Sequence, residues 1–151
     1  MADIIYYVNE QLGTVVARMP NFEEDMYQEI DNFCRIKFIN KNAHVSFGFS
    51  MYFYETVHKL LHGRYEPSLK SLIGKAKCNF EAGETFDVEK GKELAKQRLM
   101  EKVFKLRYHV FHEAYKMMFE DFCMPFVIKK GQYLDHLAEY ENNLLMMESE
   151  Y

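Results

Sequence analysis

The chain has 151 residues, a formal net charge of −4, 48% hydrophobic residues and 28% charged residues. A chain of that size can close one self-sufficient core, and its composition excludes a disordered, collagen-like or disulfide-stapled protein. No apolar run approaches the roughly 18 residues of a membrane-spanning helix, so no membrane association is expected.

The first segment reads as extended. Ile4-Ile5-Tyr6-Tyr7-Val8 is β-branched and aromatic, Asn9 to Gly13 can turn, and Thr14-Val15-Val16-Ala17 returns in the same style. This predicts a hairpin, closed off by Pro20-Asn21. Residues 22–33 then predict a short acidic helix near the surface. Asn21 and Glu24 have the spacing of a capping box, and Phe22, Met26, Ile30 and Phe33 lie along one stripe.

Residues 34–49 are expected to be a second hairpin. Arg35 to Ile39 leads into the polar triplet Asn40-Lys41-Asn42, and Val45, Phe47 and Phe49 alternate at period two. Ser50 is the expected cap of a helix over 51–62, with Phe53, Val57 and Leu60 or Leu61 inward and Gly63 as a left-handed terminator. Arg64 to Pro67 reads as a loop and 69–78 as a strand. The small residues Gly74, Ala76 and Cys78 share a face of that strand and predict close packing there.

The clearest signal follows a loop at 79–87. Asp87 is a helix cap, and Ala95, Leu99, Val103, Leu106, Val110, Ala114 and Met117 recur at spacings of three and four. This predicts one long amphipathic helix from about Val88 to Phe122. Phe104, Phe111, Tyr115, Met118 and Phe122 widen the seam, so the second half is expected to be the more buried. Pro125 is expected to end the helix, Phe126-Val127-Ile128 to be either extended or a link, and 131–147 to form a last helix with a fraying tail. The fold class is therefore α+β: a small antiparallel sheet against a long amphipathic helix, with shorter helices, in one domain over 1–151.

Charge is segregated. Residues 1–31 carry Asp3, Glu10, Glu23, Glu24, Asp25, Glu29 and Asp31 against Arg18 alone, residues 131–151 hold acids and no base, and the long helix is rich in Lys and Arg. Either the acidic ends balance the basic helix internally, or a stripe of Lys92, Lys96, Arg98, Lys102, Lys105 and Arg107 with Tyr108 meets a partner. Thirteen Phe and 11 Tyr with no Trp likewise fit either a dense core rimmed by tyrosines or an exposed aromatic docking patch. Cys34, Cys78 and Cys123 are odd in number, and Met1-Ala2-Asp3 opens no secretory leader. Buried free thiols in a reducing, cytoplasmic setting are expected.

Two histidine groups bear on chemistry. Glu55, His58 and His62 share a helical face, and His109 and Glu113 share another, so a metal held by all five is one reading. Solvated histidines on surface helices are the plainer one, because the further Glu and second Glu-x-x-His of a di-iron bundle are missing. Cys78 has no histidine nearby in sequence to make it a nucleophile. No phosphate-binding glycine motif is present, and Gly83-Glu84-Thr85 carries its own opposing charge. No catalytic residue and no cofactor is assigned.

Gly74-Lys75-Ala76-Lys77-Cys78, then Glu84-Thr85-Phe86-Asp87, then Gly91-Lys92-Glu93-Leu94-Ala95, resembles a pattern in small uncharacterised proteins of bacteriophages and prophages. The match runs over residues 74–98, and Asn79-Phe80-Glu81-Ala82 replaces that family's proline-bearing step. The resemblance implies a strand, an acidic turn and a helix start, and a phage or mobile-element origin. It implies no activity. The expected role is a non-enzymatic interaction protein that binds a host protein or itself, with a possible anti-defence purpose. The alternatives are a metal-dependent enzyme and a nucleic-acid-binding protein.

Overall fold

Ile5–Asn9 (β1) and Thr14–Arg18 (β2) form the expected antiparallel hairpin, in a computed structural model that describes residues 3–38 and 43–149. Gly13 closes its turn at φ 57°, a conformation open to glycine because it has no Cβ. Ile73–Lys77 (β3) pairs antiparallel with β2, giving the order β1-β2-β3. Val15 faces Ala76 and Ala17 faces Gly74, and these four small residues are the buried face of the sheet.

Phe22–Phe38 (α1) and Ala43–Leu61 (α2) follow the hairpin. Phe22, Met26 and Ile30 of α1 are fully buried, so α1 is a core helix rather than a surface one. Phe53, Val57, Leu60 and Leu61 of α2 are buried as expected. Neither 34–38 nor 43–49 is a strand: both are helical, and the proposed turn at Asn40-Lys41-Asn42 lies outside the described residues. A short apolar run with alternating aromatics fits a buried helix as well as a strand, and β-propensity yields to tertiary context. Ser50 accordingly lies inside α2 rather than capping it. Gly63 is not left-handed. It admits the Lys59 carbonyl, which a Cβ would meet at 2.7 Å.

The expected strand at 69–78 is shorter, because Glu66–Lys70 (α3) takes its first residues. Pro67 suits the start of a helix, where no backbone donor is needed. After β3, a 3-10 turn at Phe80–Ala82 leads to Val88–Met118 (α4). Asp87 caps α4, its carboxylate accepting from Lys90 N–H at 3.1 Å. Ala95, Leu99, Val103, Leu106, Val110 and Ala114 are buried along one seam. The sheet meets α4 very closely: a Cβ on Gly74 would lie 1.9 Å from the Ala95 carbonyl oxygen, and one on Gly91 2.8 Å from Val15. Backbone rests on backbone here, as the small residues foretold.

The chain divides into two units, Met1–Ala114 and Tyr115–Tyr151. The core described above belongs to the first. The second holds the last turn of α4, a π-helical turn at Phe119–Cys123 and Met124–Ser149 (α5). Pro125 does not end the helix. A proline needs no donor but crowds the carbonyl four residues back, and the π turn before it relieves that crowding, with Met124 N–H donating to the Phe119 carbonyl. Phe126-Val127-Ile128 is helical too. Of the residues expected to widen the seam, Phe104 is 60% exposed, Tyr115 66% and Phe122 48%, while Phe111, against Phe53 at 5.5 Å, and Met118 are half-buried. Cys123 is likewise exposed and Cys78 half-buried. No described helix is long and apolar enough to cross a membrane.

Candidate functional site

Packing of α1 against α2 assembles a polar cluster at their edge. Glu23 stands in the first turn of α1 with Tyr27 one turn on. His58 lies in the last turn of α2, and His62 follows just past its end. A separation of four residues puts both imidazoles on one side. His62 Nε2 is 2.7 Å and His58 Nδ1 3.6 Å from Glu23 Oε1. Tyr27 O–H donates to the same Glu23 oxygen at 2.8 Å and lies 2.8 Å from His58 Nδ1. The two imidazole rings are 4.5 Å apart, and Tyr54 packs on Tyr27 at 4.3 Å with the rings tilted by 35°.

The electrostatics follow from these contacts. Burial by itself pushes the Glu23 carboxyl up. Hydrogen bonds from His62 and Tyr27 and the charge of both histidines outweigh it and hold the group below the usual carboxylate range. Tyr27 is pushed well above an ordinary phenol, first by burial and then by the hydrogen bond and charge of Glu23. Glu23 also lines a cleft of about 520 Å³, shared with Tyr7, Arg18, Phe22 and Lys70.

Glu23, His58 and His62 each bring a ligand atom within 4.8 Å of the others, and among the described residues this is the one such group of three or more. The structure thus joins His58 and His62 as the helical spacing suggested, but to Glu23. Glu55 is exposed and outside the group. His109 stacks on Tyr65 at 6.3 Å, and Glu113 pairs with Arg64 at 3.2 Å. Glu23 was out of reach of spacing rules, since no motif marks an acid so far along the chain from its partners.

The basic stripe is largely engaged within the first unit. Arg107 is 15% exposed and pairs with Asp25 at 2.5 Å and Glu29 at 2.7 Å. Arg98 donates to the Lys75 carbonyl at 2.6 Å, Lys92 pairs with Glu89 and Lys105 with Glu101. Lys96 and Lys102 make no ion pair among the described residues, and Tyr108 is 65% exposed. The acidic N-terminal stretch therefore balances part of the basic helix directly. In Gly83-Glu84-Thr85, the Gly83 and Glu84 N–H groups donate to the Phe80 and Asn79 carbonyls at 3.0 and 3.3 Å, so neither is offered to an anion. The Cys78 thiol is pushed up by burial and by Glu84, the opposite of an activated nucleophile.

α5 buries no residue and leaves a run of large apolar side chains exposed. Phe126 is 78% exposed, Tyr133 64%, Leu137 55%, Tyr140 69%, Leu144 58% and Met147 65%. These six recur at spacings of seven, four, three, four and three. No family model, curated protein or solved structure matches the chain.

Proposed function

We propose that this is a non-enzymatic interaction protein that pairs with a second copy of itself through α5. The supporting observation is the seam of Phe126, Tyr133, Leu137, Tyr140, Leu144 and Met147, exposed over a 26-residue helix. Helices gain most of their stability from burying such a face, and a contiguous apolar stripe left in water marks an association surface. The spacing is that of a coiled-coil seam.

Charge favours a parallel twin. With Leu137 and Leu144 at the first core position and Tyr133, Tyr140 and Met147 at the second, Asp135 and Glu139 fall on the outer face. Glu141 and Glu148 flank one side of the seam, and His136 and Asn143 flank the other. Parallel pairing sets His136 against Glu141 and Asn143 against Glu148, whereas antiparallel pairing brings the glutamate flanks together. The resemblance at residues 74–98 adds a phage or mobile-element origin to the proposal, with action in the host cytoplasm. The internally engaged basic stripe argues against the nucleic-acid reading.

Light scattering across a micromolar concentration series tests the pairing. The wild-type chain is expected to run as a dimer, and Leu137→Asp with Leu144→Asp as a monomer with an intact first unit by circular dichroism. A wild-type monomer throughout, or a dimer indifferent to both substitutions, overturns it.

A further inference from the structure

We propose that Glu23, His58 and His62 bind one divalent transition-metal ion of the zinc class, clasping the start of α1 to the end of α2. The inference is independent of α5. Two imidazoles and a carboxylate are a borderline nitrogen and oxygen set, which suits zinc and disfavours calcium or magnesium. Such ligands lie about 2.0–2.2 Å from zinc, which places tetrahedral neighbours roughly 3.3 Å apart. The separations from Glu23 Oε1, 2.7 Å to His62 Nε2 and 3.6 Å to His58 Nδ1, bracket that value. Admitting the ion requires the His62–Glu23 pair to open by about 0.6 Å and His58 Nδ1 to leave the Tyr27 hydroxyl, 2.8 Å away.

Three further features fit the assignment. His58 lies in the last turn of α2 and His62 in the turn just after it, its N–H donating to the His58 carbonyl at 3.0 Å, so that backbone hydrogen bond fixes their relative position. The Tyr27 hydroxyl donates to Glu23 and acts as a positioning group for the carboxylate. His58 is 55% and His62 43% exposed, so the ion can enter from solvent, and three protein ligands leave one coordination position for water. Glu55, on the same helix as His58, is not a ligand.

Calorimetric titration of the full, untagged chain with zinc chloride tests the site. One zinc ion per chain is expected, with a rise in thermal midpoint that a chelator reverses. Tyr27→Phe is expected to weaken binding by roughly tenfold, within the range of outer-sphere partners, and Glu23→Gln and His62→Ala by more than that. Glu55→Gln is expected to bind as the wild type does. Circular dichroism of each variant separates lost ligands from lost fold, and the exposed His62 carries the test if Glu23→Gln unfolds. Absence of stoichiometric zinc, or unchanged affinity in folded His62→Ala, overturns the assignment.

Discussion

Gly74→Ala places a methyl group where the structure has backbone. Its Cβ would sit 1.9 Å from the Ala95 carbonyl oxygen, 2.6 Å from Leu99 N and 2.9 Å from Leu99 Cβ. No rotamer change relieves contacts with a helix backbone, so α4 must lift from β3 by about 1.5 Å to bring the shortest contact to an ordinary van der Waals separation. A gap of that size forfeits at least about half of each dispersion contact that Val15 and Ala76 make beneath α4. Overpacking ordinarily costs about 1–3 kcal/mol, and a backbone clash belongs at the top of that range. We expect a loss of about 3 kcal/mol, a large share of a stability on the order of 5–15 kcal/mol. Urea denaturation followed by far-ultraviolet circular dichroism measures it. Gly131→Ala in α5 is the matched control: nothing lies within 4 Å of its Cβ, so the same substitution is expected to raise helix content by up to ~1 kcal/mol of propensity. A Gly74→Ala midpoint within about 0.5 kcal/mol of wild type, the range of an ordinary surface change, would refute the seating of α4 on the sheet.

Arg107→Met removes the cation that joins α4 to Asp25 and Glu29 and is expected to cost about 2 kcal/mol, chiefly by stranding the well-covered Asp25 carboxylate. Adding Asp25→Asn should recover part of the loss in a double-mutant cycle, and strict additivity would show that the pair is not coupled. Because burial and the nearby Glu84 both push the Cys78 thiol up, less of it is thiolate at a given pH. Its alkylation is expected to accelerate only at more alkaline pH than that of a free cysteine peptide, and Glu84→Gln to move the Cys78 profile back toward lower pH. A Cys78 profile equal to that of the free peptide would contradict the environment described for it.

Features that depend on near neighbours along the chain were legible from the sequence. The β-branched pair of segments at 4–17, the carboxylate of Asp87 ahead of Val88 and the seam from Ala95 to Ala114 each express themselves within one or two turns, where backbone preference and hydrophobic period act directly. The small residues of β3 likewise announced a close crossing. What tertiary structure alone decided were choices between locally equal options. Residues 43–49 satisfy either a strand or a helix, and the whole of α2 took them into a helix. Pro125 breaks an ideal α-helix, yet a π turn upstream lets it begin another. Glu23 meets His58 and His62, and Arg107 meets Asp25 and Glu29, through the packing of separate helices. Spacing rules describe which side chains share a face, whereas the burial of α1 selects which faces meet.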